Sequence, residues 1–241
     1  MDLIFATGIE IETGNTSRPL KSQLPETWTQ GTDASAGLEY RSGKLCTVED
    51  LFQSTTKICA ALRNTSHPIH HKCGLHVHIG FKHINDLSAK YRLFRFVSVY
   101  EDLILDMHKP WPERAGYCKK LTDNYWNSVR NGQGFGEWET GQEATAGQVR
   151  SGRFWWFNGA AMYKHGTVEF RLMNGTLDET EILGWVSLLQ CIFIATVKKD
   201  VKLEWMDRKR ATPRNLIHDC LADSEPTFGQ KAINFVMSHC S

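Results

Sequence analysis

The stretch CGLHVHIG, Cys73 to Gly80, sets two histidines one residue apart inside an otherwise apolar run. Side chains of a β-strand alternate between its two faces, so His76 and His78 look one way while Leu75, Val77 and Ile79 look the other. A strand that buries one apolar face and turns imidazoles from the other suits an antiparallel sheet covered on one side. The fold then hinges on which other segments share that polar face.

Three do. Glu10 and Glu12 alternate with Ile9 and Ile11 in a strand expected over residues 3–13. Glu39 sits between Leu38 and Tyr40 in a second strand over 36–42, and Glu169 and Arg171 alternate with Val168, Phe170 and Leu172 in a strand over 166–174. A face that merely meets water gives the same alternation, but it normally recruits lysine and mixed charge. The residues named here are four carboxylates, two imidazoles and one guanidinium, with no lysine in these runs. Crowded carboxylates repel unless a cation lies among them. Glutamate with histidine, and no thiolate, suits Mg²⁺ or Mn²⁺ better than a closed zinc site. The expectation is a metal-lined sheet face.

The rest of the chain alternates with these strands. Thr47 and Asp50 form a capping box before Val48, Leu51, Phe52, Thr55, Ile58 and Leu62, which predicts a helix over 48–63. A second helix spans 87–107, with Leu93, Phe96, Val97, Tyr100, Leu103, Ile104 and Met107 as its apolar stripe. The two prolines of KPWPERAGYC end it. Residues 14–35 read as a polar, glycine-rich connection, and 153–163 as a strand pairing with 166–174. Residues 131–152 hold six glycines and predict a mobile loop over a site. Asp178 and Glu181 open a helix through Val197, and two shorter helices fill 212–239. This order predicts one α+β domain over residues 1–241.

Composition excludes little. At 241 residues, 41% hydrophobic and 23% charged, the chain resembles an ordinary globular domain. Its net charge of +1 argues against an electrostatic grip on nucleic acid or an anionic membrane, though not against a local patch. The N-terminus lacks the features of a signal peptide. Ile182 to Val197, broken by Gly184, Ser187, Gln190 and Thr196, reads as too short and too polar to span a membrane. Seven cysteines without a C-x-x-C pair predict reduced thiols in a cytoplasmic protein, with Cys59 and Cys191 in the core. Cys73 or Cys118 as a nucleophile lacks a Cys/His/Asn arrangement to support it.

No G-x-x-x-x-G-K-[ST] loop and no G-x-G-x-x-G after a strand is present. If a nucleotide binds, metals and arginines must hold its phosphates. Arg171 beside Glu169 suits that role, because a guanidinium can brace a phosphoryl oxygen. Arg114, Arg150 and Arg153 are further candidates, although surface or core-edge ion pairs account equally for the last two.

Five motifs, GIEIE, TDASAGLEYRS, CGLHVHIG, ERAGYCKKL and GTVEFRLMNGTLDETEILGWV, occur in the order and spacing of the putative amidoligase family. The chain resembles that family, within the glutamine synthetase and γ-glutamylcysteine ligase superfamily, over about residues 5–197. The resemblance implies a curved antiparallel β-sheet funnel flanked by helices, as in the glutamine synthetase catalytic domain. It implies ATP with Mg²⁺ or Mn²⁺ as cofactors. Glu12 and Glu39 would hold one ion, and Glu10, His76 and Glu169 another that bridges the ATP phosphates. His78 would contact substrate or phosphate, and Arg171 would stabilise the transferring phosphoryl group. Asp33 and Ser35 would touch the acceptor or support Glu39, unless they only make a turn.

The implied reaction activates a carboxylate as an acyl phosphate, which an amine then displaces to form an amide. Small-molecule or peptide acids and amines are the implied partners, and a modified nucleobase is an acceptable amine; a membrane partner is not expected. The chain is shorter than glutamine synthetase and shows no separate N-terminal β-grasp domain. Its own loop at 131–152 or a second copy in a homo-oligomer would therefore complete the site. Two other readings remain at this stage. A cupin-like metalloenzyme uses H-x-H on a strand, but needs a glutamate and a third histidine downstream. A non-catalytic binding module would use Trp155 and Trp156 as a partner surface, although such tryptophans are more often core.

Overall fold

The computed structural model describes residues 2–16, 20, 24–81, 84, 87–121, 154–159, 161–198, 211–221 and 226–240. Its central strand, β1 (Asp2–Thr13), pairs antiparallel with β3 (Gly37–Ser42), β4 (Leu45–Thr47) and β5 (Leu75–Gly80). With β2 (Trp28–Asp33), β6 (Phe157–Asn158) and β7 (Thr167–Phe170), the open sheet runs β2-β3-β1-β5-β7-β6. The helices are α1 (Val48–Asn64), α2 (Leu87–Met107), α3 (Ala161–His165), α4 (Glu179–Phe193), α5 (Pro213–Leu221) and α6 (Pro226–His239). The fold is α+β, an open antiparallel sheet flanked by helices.

The alternation read from the sequence sets the layers. Ile9, Ile11, Leu75, Val77, Ile79 and Val168 are fully buried, in one core with Leu51, Ile58 and Leu62 of α1 and Ile182 to Phe193 of α4. Thr47 caps α1 by accepting from the Asp50 amide at 3.0 Å, and Asp178 caps α4 by accepting from that of Thr180 at 2.8 Å. Trp156 is wholly buried, so it belongs to the core.

Three details depart from the sequence reading. Strand β2 lies inside the stretch read as a connection. Its only buried residue is Trp28, whose indole N–H donates to Ser54 Oγ, and cross-strand pairing with β3 along its whole length supplies the rest. The strand expected over 153–163 shrinks to β6, because the chain reverses through α3. Gly166, with φ of 69°, ends that helix and its amide bonds back to the Met162 carbonyl. A π-helical turn (Ile194–Lys198) extends α4. The resulting Glu179–Val197 helix is long and apolar enough to cross a membrane by length and composition, contrary to the expectation, yet 83% of its apolar window is buried within the protein. The predicted loop at 131–152, with Arg150 and Arg153, lies outside the described residues.

One core group carries a stability prediction. His108 follows α2 and packs against Trp185, Phe235 and His239, each with ring centroids 5.0 Å away. Burial, and then the nearby His239, push its pKa down to about 3. A histidine held neutral in the fold but free to protonate when unfolded stabilises the fold above pH 6.5. That stabilisation is lost as pH falls from about 6.5 towards 3, by on the order of 5 kcal/mol in all. Denaturant titrations should show a shallower loss over this window in His108→Phe than in the wild type. Equal slopes would mean His108 does not titrate with unfolding.

Candidate functional site

Strand register assembles the site. Directly opposed residues of antiparallel strands share a face, and β1 opposes Glu10 to His76, Gly8 to His78 and Glu12 to Glu39. Strand β7 then opposes Glu169 to His78, and β6 opposes Asn158 to Glu169. Two adjacent groups result: Glu10, His76 and Glu169, and Glu12, Glu39 and His76, each with potential ligand atoms within 4.8 Å of one another. The residues singled out from sequence on four separate strands are therefore neighbours.

Their atoms face one another closely. Glu10 Oε2 lies 3.1 Å from His76 Nδ1, and Glu10 Oε1 lies 3.5 Å from His78 Nε2. Glu169 Oε1 is 3.7 Å from His76 Nδ1 and is paired with the Arg171 guanidinium, while Glu169 Oε2 accepts from Asn158 Nδ2 at 2.7 Å. Glu12 Oε1 is 3.5 Å from His76 Nε2, and Glu12 Oε2 accepts from the Gly74 amide at 2.6 Å. His78 Nδ1 meets the Thr167 hydroxyl at 2.9 Å.

The charges are unequal. Burial opposes ionisation of Glu10, but its bonds to His76 and His78 and their charge hold its carboxyl well below the usual carboxylate range. Burial likewise opposes ionisation of Glu169, and the charges of Arg171, His76 and His78 bring it below that range. His78 is raised: burial would lower it, but its bond to Glu10 and the charges of Glu169 and Glu10 outweigh that. Glu39 goes the other way, pushed up to about 7 by burial and then by the negative charge of Glu10, with Glu12 and Asp33 adding to it against Arg41.

This donor set fits a hard divalent cation. It offers carboxylate oxygens and one imidazole, and burial together with the neighbouring carboxylates raises Glu39, a strain a bound cation would relieve. The Cys73 and Cys118 thiols are pushed up, mainly by burial, which disfavours the thiolate a nucleophile needs. A cleft of about 930 Å³ opens beside Glu10 and His78, and Arg41, Lys44, Gly8 and Gly80 line it.

Arg114 sits elsewhere than its predicted role suggests, and Asp33 takes the turn alternative. Arg114, taken as a phosphate-facing candidate, is 3% exposed; its Nη1 donates to the Leu172 and Met173 carbonyls and Asn174 Oδ1, and its Nη2 to the Arg171 carbonyl. It lies flat on Gly74, where a Cβ would fall 2.3 Å from Nη2. This is a buried clamp between the start of β5 and the segment after β7, because its donors are spent on main chain. Asp33 Oδ1 accepts from the Ser35 hydroxyl and from the Ser35 and Ala36 amides, the hydrogen bonding of a turn. Arg150 and Arg153 fall outside the described residues.

Sequence reasoning missed Asn158 and the cleft cations Arg41 and Lys44. Alternation within TDASAGLEYRS puts Arg41 on the face of Glu39, so that signal was available. Nothing local marks Asn158, which matters only through its register with Glu169.

In comparison with known families, residues 22–193, more than half of the chain, match the family described as "putative amidoligase enzyme". No curated protein matches the chain.

Proposed function

This chain belongs to the putative amidoligase family, and from that membership we propose that it is an ATP-dependent carboxylate–amine ligase working through an acyl phosphate. Membership itself points to an amide-bond-forming ligase. ATP, Mg²⁺ or Mn²⁺, and the acyl-phosphate route are our reading. It rests on one observation above all: register gathers Glu10, His76 and Glu169 beside Glu12 and Glu39 on one sheet face.

In this reading Glu10, His76 and Glu169 hold one ion and Glu12 and Glu39 the other. His76 would ligate through Nδ1, which lies beside Glu10 and Glu169, leaving Nε2 toward Glu12. When bound, the ions neutralise phosphate charge and polarise the group being transferred. The polar sheet face then forms the wall of a funnel.

The chain's own groups do the rest. The cleft beside Glu10 and His78 receives the nucleotide, with Arg41 and Lys44 near its phosphates. His78, raised by its two glutamate neighbours, donates from Nε2 to a phosphate oxygen, since that nitrogen is buried and its contact with Glu10 Oε1 is long, at 3.5 Å. Arg171 holds Glu169 with Nη1 and keeps a buried Nε, without a partner among the described residues, for an oxygen of the transferring phosphoryl group. Seven cysteines without a disulfide among the described residues suit a reducing compartment such as the cytoplasm.

The test is ADP release from ATP and Mg²⁺ by purified protein given pools of carboxylic acids and amines, with products weighed by mass spectrometry. The proposal expects ADP release that depends on both pools, and a product lighter by one water than its two substrates together. Protein that neither binds nucleotide nor releases ADP under any pool overturns it.

A further inference from the structure

Asn158 stands opposite Glu169 in the β6–β7 register and is 6% exposed. Its Nδ2 donates to Glu169 Oε2 at 2.7 Å. That bond puts the amide nitrogen on the carboxylate side and turns Oδ1 elsewhere. Asn158 Oδ1 is buried with no hydrogen-bond partner among the described residues. An unpaired buried amide oxygen lowers stability, so an asparagine kept only for packing would be a poor choice here. Arg171 Nε, on a side chain paired with Glu169, is buried and unpartnered in the same way, and His78 Nε2 has only long contacts, 3.5 Å to Glu10 Oε1 and 3.9 Å to Glu169 Oε1. Such atoms around one carboxylate mark a place built for a polar occupant.

The occupant's chemistry follows from the atom. An amide oxygen only accepts, so what meets Oδ1 must bring an O–H or N–H. A hard divalent cation held by one or two carboxylates keeps several waters, and these are strong donors. We infer that Asn158 is a positioning residue for a bound divalent cation: its N–H fixes the Glu169 carboxylate, and its Oδ1 accepts from a water on the ion that Glu169 holds. The inference rests on the proposed reading of Glu169 as a metal ligand. It adds a residue that orients the ligand and the hydrated ion together, which is how outer partners tune metal sites.

Mn²⁺ titration of metal-free protein, followed by the electron paramagnetic resonance of free Mn²⁺, tests this alongside thermal melts without metal. Asn158→Leu keeps the volume and removes both polar atoms. It should weaken Mn²⁺ binding about 10–100-fold while the metal-free Tm stays within a few degrees, since the orphaned oxygen goes together with the bond to Glu169. Asn158→Ala should show the same loss. Variants that bind Mn²⁺ like the wild type but melt lower would make Asn158 purely structural and overturn the inference alone. Failure of both variants to fold would do likewise. Wild-type protein that binds no Mn²⁺ would overturn the cation reading itself, and this inference with it.

Discussion

Glu10→Gln should lower Mg²⁺-dependent ADP release by at least about 10³-fold while the protein still unfolds cooperatively. The substitution keeps shape and removes charge. Glu10 faces both imidazoles, Oε2 toward His76 and Oε1 toward His78, and it contributes to the group that includes Glu169. A neutral amide cannot balance a divalent ion, and its NH₂ would meet imidazole nitrogens that the carboxylate now attracts. A second readout needs no substrate. After burial, the charge of Glu10 is the largest cause of the raised Glu39 carboxyl, so Glu39 should titrate lower in metal-free Glu10→Gln than its present value of about 7. Side-chain carboxyl NMR would follow it. Full activity in this variant would remove Glu10 from the cation site, and an unmoved Glu39 would show that the two carboxylates do not interact.

Arg114→Met should cost about 3–6 kcal/mol of stability in chemical denaturation. Four hydrogen bonds from a buried guanidinium are lost together, at about 1 kcal/mol or somewhat more each. Met173, Arg171 and Asn174 keep a second donor in the Leu75 amide, the Cys118 thiol and the Trp111 amide, while Leu172 loses the donor it has here. That is a large part of the 5–15 kcal/mol that typically holds a domain folded. Arg114→Lys should lie between, because an ammonium cannot reach acceptors spread around a planar fork. The same clamp presses on Gly74, whose amide holds Glu12, so the loosened variant should also bind Mn²⁺ more weakly. Unchanged stability with lost ligase turnover would return Arg114 to the phosphate-facing role that its motif first suggested.

The contrast between these two residues shows where the sequence was legible. Glu10 could be read because alternation is local: each side chain's face follows from its neighbours in the chain, and Ile9 and Ile11 declare which face is inside. His76, Glu39 and Glu169 were legible for the same reason, and so was α1, whose capping box and apolar stripe lie within a few turns of one another. Arg114 sits in a 3₁₀ turn without alternation or helical period, and its acceptors lie far along the chain, so nothing nearby betrayed its burial. Strand β2 escaped because its sequence is polar and its partner, not its composition, makes it a strand.

The sequence by itself determined that four segments each bury one apolar side and turn acids, imidazoles and a guanidinium from the other. Only the tertiary structure decided which of those groups meet. Antiparallel register is fixed by hydrogen bonds between distant segments, and one residue of slip would have sent every side chain to the opposite face. That register set Glu10 against His76 and Glu12 against Glu39, gave Glu169 the partner Asn158, and spent Arg114 on the main chain.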